Sequence, residues 1–202
     1  MQLLPDGHHL FESKNSSSKL IFISGGVRSG KSTFAEKLAC SIAGKTSSLH
    51  YIATSLPYDD EMVARIKKHQ LDRSEGIYKW KTWEQPMNLH HLVNQFTNRD
   101  VVLIDCLTTL LGNELFFDGC WLDEKKVEAM LNRLKNTFEL YKQTAKTTII
   151  VSNEIFSEGI PTDRGSRLYM KQLGKLHQFL ITLCNEAYLL EYGVVRKMKE
   201  GH

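Results

Sequence analysis

Leu20-Ile21-Phe22-Ile23-Ser24-Gly25-Gly26-Val27-Arg28-Ser29-Gly30-Lys31-Ser32 is the stretch on which the reading turns. Its first four residues are apolar without alternation, as in a strand covered on both faces of a parallel sheet. The run stops at Ser24-Gly25-Gly26, and the pattern predicts a helix over Lys31–Ala43, ended by Gly44. Between strand and helix, Gly25 to Ser32 satisfies the spacing G-x-x-x-x-G-K-[ST] at every fixed position. Glycines there let backbone N–H groups turn inward around a phosphate, and the helix start adds its positive end. Gly25, Gly26, Val27, Arg28, Ser29, Gly30, Lys31 and Ser32 are therefore assigned to nucleotide binding. Lys31 is the candidate catalytic cation for the β- and γ-phosphates, and the Ser32 hydroxyl is a candidate ligand for Mg2+.

Outward from this loop, strands and helices alternate. Leu49–Ala53 reads as a second strand, residues 59–69 as a helix opened by Asp59-Asp60-Glu61, and residues 87–96 as a helix with Leu89, Leu92, Val93 and Phe96 inward. Val101–Asp105 is an apolar strand. Residues 123–144 carry Val127, Met130, Leu131, Leu134, Phe138 and Tyr141 at helical spacing. Residues 147–152 form a β-branched strand, 166–184 a helix, and 187–195 one or two last strands around Gly193. This order predicts an α/β fold: a mostly parallel sheet covered by helices on both faces, with ligands beyond the carboxyl ends of the strands.

A chain of 202 residues, 42% of them hydrophobic, is the size of one domain with a full core. We expect residues 1–18 to be a polar leader and 19–202 a single catalytic domain. No apolar run reaches the roughly 18 residues of a membrane helix, and the N-terminus lacks a basic stretch followed by an apolar one. The four cysteines, Cys40, Cys106, Cys120 and Cys184, have no metal-ligand spacing. A cytoplasmic setting is the expectation. A net charge of +3, spread along the chain, argues against a nucleic-acid partner.

Asp105 ends an apolar strand, where such sites hold a magnesium ion, so it joins Ser32 as a metal candidate; helix capping is the competing role. Glu154 ends another strand and is a candidate for the metal, the attacking hydroxyl or a neighbouring amide. Within a helix over 59–69, Met62, Arg65, Ile66 and His69 share one face. An arginine beside a histidine favours the neutral, nucleophilic imidazole. Arg65 and Arg73 are also placed to neutralise a triphosphate. Read alone, His69 is better taken as a partly exposed histidine at a helix end. The loop by itself also fits a small-molecule kinase or a nucleotide-dependent switch ATPase.

From Lys19 to Lys199 the chain resembles the bifunctional cobinamide kinase/cobinamide-phosphate guanylyltransferase family of cobalamin synthesis. The residues that carry this are Gly25 to Ser32, Tyr51-Ile52-Ala53-Thr54, Asp60-Glu61-Met62 with Arg65-Ile66, His69 with Arg73, and Trp80-Lys81-Thr82 with Glu84. They continue with Asp105-Cys106-Leu107-Thr108, Asn113 and Asn153-Glu154. Met170, Lys171 and His177 stand where the family usually has an arginine, an acid and an amide. The resemblance implies a three-layer, RecA-like P-loop fold assembled as a trimer. It implies that adenosylcobinamide is phosphorylated and that its phosphate then receives GMP from GTP, with ATP and GTP as substrates and Mg2+ as the metal. It implies His69 as the residue that carries the guanylyl group and Glu84 in the nucleotide-binding set.

Overall fold

The computed structural model describes residues 18–44, 47–56, 78–159 and 161–201. The helix expected over 59–69, with Arg65 and His69, and Arg73 beyond it lie outside the described residues.

In chain order the elements are β1 (Lys19–Gly25), α1 (Lys31–Ala43), β2 (Leu49–Ala53), β3 (Trp80–Glu84), a 3-10 helix Leu89–Gln95 and β4 (Val101–Asp105). Then come α2 (Leu107–Phe116), a 3-10 segment Phe117–Leu122, α3 (Glu124–Thr144), β5 (Thr147–Asn153), α4 (Arg164–Leu183), β6 (Glu186–Glu191) and β7 (Val194–Lys199). The seven strands form one sheet in the order β3-β2-β4-β5-β1-β6-β7. All pairings are parallel except β6 with β7, an antiparallel hairpin at the edge.

Period-two geometry sorts the apolar runs into two cores. From β1, Leu20 and Phe22 enter one core while Ile21 and Ile23 enter the other. β4 divides likewise, Val102 and Ile104 against Val101 and Leu103. On one face lies α1, whose Ala35, Ala39 and Ala43 are small enough to bring the helix close to the sheet. On the other lie α2, α3 and α4, with Leu134, Phe138, Leu173, Leu176 and Leu180 in the larger core. The expected architecture of a three-layer α/β sheet is therefore present.

Local signals account for the ends of the helices. The Asp123 side chain accepts from the backbone N–H groups of Lys125 and Lys126, and Asp163 accepts from that of Ser166. One element differs from expectation: residues 87–96 do not form an α-helix but the short 3-10 helix Leu89–Gln95. Asn88, left-handed at φ 55, turns the chain into it, and the buried Glu114 carboxylate accepts the Asn88 N–H at 2.7 Å. Leu89, Val93 and Phe96 are still buried. The stripe was right and the pitch was wrong.

Candidate active site

Backbone geometry at the loop explains its glycines. Gly25 has φ 157, and a Cβ there would lie 2.1 Å from the backbone oxygen of Leu190 in β6. Arg28 and Gly30 are left-handed, at φ 59 and 89, so the chain curls and leads into α1. Ser29 N–H donates to the Gly26 carbonyl at 3.3 Å. Lys31 is buried, and its Nζ donates to the Gly26 carbonyl at 2.5 Å and to Ser29 Oγ at 3.4 Å. The ammonium is thus held inside the curl. No acidic residue occupies the first turn of α1, which leaves its positive end uncompensated for an anion. Ser32 is half-buried in that turn, whereas Val27 and Arg28 face solvent.

Asp105 stands at the same edge. It ends β4, two strands from β1 with β5 between, about 10 Å away at the strand spacing. Tyr51 OH donates to its Oδ2 at 2.9 Å, while no described residue bonds Oδ1. Cys106, not Asp105, occupies the capping position of α2, so the competing role is not the one observed. Ser32 and Asp105 offer hard oxygen donors, the kind Mg2+ takes together with phosphate oxygens. Among the described residues no three His, Cys, Asp or Glu side chains cluster as a metal site of their own. An ion here would share its shell with the nucleotide.

Polar groups join the strand ends around Asp105. Cys106 N–H donates to Thr54 Oγ1 at 2.7 Å, and Thr54 Oγ1 donates to the Cys106 carbonyl at 2.8 Å. Asn113 Nδ2 donates to the carbonyls of Thr54 and Pro86 at 2.9 and 3.0 Å. Asn153, paired with Gly25, donates through Nδ2 to Thr108 Oγ1 at 3.1 Å, and Tyr169 OH donates to the Thr108 carbonyl at 2.8 Å. Burial, with the Asp105 charge beside it, pushes the Cys106 thiol up, so this sulfur is protonated and not a nucleophile. Asn153 thus lies between the loop strand and the Asp105 strand. Only the sheet order reveals that placement; nothing in the spacing of Asn153 and Asp105 along the chain does.

The remaining candidates fall as follows. Glu84 is exposed at the end of β3, in register with Ala53 and four strands from β1. It borders the far end of the crevice, about 19 Å from the loop strand at the sheet. Glu154 accepts from the Phe156 N–H at 2.6 Å and from Ser157 OH at 2.8 Å, so of its three candidate roles the neighbouring amide is the one seen. Its own N–H donates to the Gly25 carbonyl at 2.8 Å. His177 bonds Ser152 Oγ through Nε2 at 2.8 Å between the rings of Phe22 and Phe156. Burial pushes its pKa down to about 4, against the opposing pull of Glu154. Trp83 donates Nε1–H to His50 Nδ1 at 3.1 Å and is a packing residue that joins β3 to β2. His69 and Arg65 lie outside the described residues.

The profile of the family described as cobinamide kinase / cobinamide phosphate guanyltransferase matches residues 21–198. The bifunctional adenosylcobalamin biosynthesis protein CobU of Escherichia coli K12 is 33% identical over 89% of this chain and 99% of its own length. The bifunctional adenosylcobalamin biosynthesis protein CobP of Pseudomonas aeruginosa is 33% identical over 88% and 95%. Among solved structures, the flagellar accessory protein FlaH from Methanocaldococcus jannaschii overlaps 92% of this chain and 80% of its own at TM-score 0.49 and 17% identity.

Proposed function

The chain belongs to the cobinamide kinase / cobinamide phosphate guanyltransferase family, and from that premise we propose that it catalyses both reactions, on adenosylcobinamide and then on its phosphate. The reading is supported most by the 25–32 loop, with Lys31 buried and bonded to the Gly26 carbonyl, at the same edge of the sheet as the strand-end carboxylate of Asp105.

In the kinase step, the substrate hydroxyl oxygen bonds to the γ-phosphorus of ATP or GTP as the bond to the bridging oxygen breaks. The nucleoside diphosphate leaves and the hydroxyl proton is released. Little covalent chemistry is asked of the protein, so positioning and charge stabilisation dominate. The loop's backbone N–H groups hold the phosphates, and the Lys31 ammonium is within reach of the charge that develops on them. Ser32 and Asp105 would hold a magnesium ion, which would neutralise part of the polyphosphate charge. Tyr51, bonded to Asp105 Oδ2, orients that carboxylate.

In the second reaction the His69 imidazole attacks the α-phosphorus of GTP and pyrophosphate leaves. A phosphate oxygen of adenosylcobinamide phosphate then attacks the same phosphorus, the P–N bond breaks, and adenosylcobinamide-GDP and free His69 result. One difficult displacement becomes two easier ones. Arg65 would keep the imidazole neutral, and Arg65 and Glu84 belong to the nucleotide-binding set. We also place the enzyme in the cytoplasm as a homotrimer, a state checked by its mass in solution. No helix among the described residues is long and apolar enough to cross a membrane.

The test is the corrinoid product. Protein with adenosylcobinamide, GTP and Mg2+ should yield adenosylcobinamide phosphate first and adenosylcobinamide-GDP second by mass spectrometry. The phosphate alone would reduce the protein to a kinase. Hydrolysed GTP with unchanged corrinoid would mark a switch ATPase.

A further inference from the structure

Glu84 and Asp105 stand in one row of the sheet. Both are in register with Ala53, Glu84 from β3 and Asp105 from β4, so their backbones are two strand spacings apart, about 10 Å. Trp80, Ala53 and Leu103 face the core beneath α1, and by alternation Glu84 and Asp105 point to that same side. Glu84 is exposed, and among the described residues its carboxylate has no hydrogen bond or ion pair. Its strand is held from one side only, because β3 is the edge of the sheet. The last described ladder bond runs from the Gln85 N–H to the Ala53 carbonyl at 2.9 Å. Pro86 follows, with no N–H to extend the pairing.

Asn113 takes over where that ladder stops. Half-buried on α2, its Nδ2 donates to the Pro86 carbonyl at 3.0 Å and to the Thr54 carbonyl at 2.9 Å, which ties the carboxyl ends of β3 and β2 together. Its neighbour Glu114 accepts the Asn88 N–H at 2.7 Å and is itself paired with Arg133 of α3. The other end of α2 is capped by Cys106, directly after Asp105. One helix therefore fastens the end of the Glu84 strand to the end of the Asp105 strand. Asparagine is a poor helix former, so its presence inside α2 is offset by these outward bonds rather than by helix propensity.

We propose that Asn113 is a positioning residue for nucleotide binding, which holds the Glu84 carboxylate at a fixed separation from Asp105. Without its two bonds the end of the edge strand frays. Glu84 then meets the nucleotide in only part of the population, and the apparent affinity falls by that fraction. The inference rests on the reading that Glu84 and Asp105 belong to the nucleotide-binding set, and its test separates the two.

The experiment titrates GTP with Mg2+ into the full chain, into Glu84→Gln, Asn113→Ala and Asn113→Leu, and into each Asn113 variant combined with Glu84→Gln. Leucine fills the volume that alanine leaves empty, and neither side chain can donate. Glu84→Gln should weaken GTP about tenfold, the effect of removing a charged hydrogen-bond partner. Each Asn113 variant alone should weaken it at least about threefold, and by less than about twofold beside Glu84→Gln, because a residue that acts through Glu84 then has nothing left to position. Hydrogen exchange over residues 84–88 should quicken in Asn113→Ala and stay at the wild-type rate over β1. Losses that multiply in the double variants overturn the proposal, since they mark a general structural role. So does full GTP affinity in both single Asn113 variants, or unchanged exchange over 84–88. Glu84→Gln with wild-type affinity removes Glu84 from the nucleotide set and overturns the reading beneath the proposal instead.

Discussion

Replacing Gly25 by alanine should damage the fold before it damages chemistry. The added Cβ would lie 2.1 Å from the Leu190 backbone oxygen, 3.0 Å from its carbon and 3.1 Å from Ser29 Oγ. Ordinary contact begins at 3.4 Å, so β1 and β6 must part by more than an ångström at their carboxyl ends. Backbone cannot swing aside as a side chain can. Losing one or two ladder hydrogen bonds costs about 1 kcal/mol each, and a strained positive φ adds about 1–3 kcal/mol. A total of about 3 kcal/mol lowers the melting temperature of a chain this size by roughly 6–12 °C. Gly26 is the control. It has open space where its Cβ would go, and Gly26→Ala should melt within about 2 °C of wild type. Thermal or urea unfolding of both variants without nucleotide decides the matter. Equal melting of Gly25→Ala and Gly26→Ala would refute the close approach of β6 to the loop.

Lys31→Ala should keep its fold and lose more than about tenfold in phosphoryl transfer, about 1.4 kcal/mol, measured as corrinoid phosphate formed per minute. Glu114→Ala should cost about 2 kcal/mol in urea, because the Asn88 N–H and the Arg133 guanidinium lose their shared acceptor; Glu114→Gln should recover part of it by keeping the Asn88 bond. His177 gives a pH dependence. Its folded pKa, about 4, lies below its ordinary 6.5, so the unfolded chain takes up the proton first. The stability contribution is therefore complete above about pH 7 and falls by roughly 3 kcal/mol toward pH 4. His177→Gln should flatten that slope in denaturation measured across the range.

The loop, β1, β4 and β5 were legible in the sequence because each rests on one local rule. Apolar runs without alternation mean strands buried on both faces, and the glycine spacing has few other uses. α2 escaped because Leu107-Thr108-Thr109-Leu110-Leu111-Gly112-Asn113-Glu114-Leu115-Phe116 buries residues around most of its circumference and shows no polar face. β3 escaped for the opposite reason. As an edge strand, Trp80-Lys81-Thr82-Trp83-Glu84 is half-exposed and lacks an apolar run. The Leu89–Gln95 segment was read with the wrong pitch because seven residues are too few to separate 3.0 from 3.6 per turn. At the site, Asp105 was legible as a strand-end acid. The bond from Tyr51, the tie from Asn113 to Thr54 and the station of Asn153 beside Gly25 depend on which strands are neighbours. That information is tertiary, and no local spacing holds it.

The central claim is that this chain carries a guanylyl group on His69 between two reactions, and a label at one phosphorus tests it directly. A phosphorus–nitrogen bond to histidine breaks in acid and persists in alkali. Protein incubated with Mg2+ and GTP labelled at the α-phosphate should retain label through an alkaline wash and release it in mild acid. Label at the γ-phosphate should leave nothing behind, and His69→Ala should take up no label while keeping much of its kinase activity. Label that persists in His69→Ala, or a wild type that never acquires it under turnover, would contradict the account.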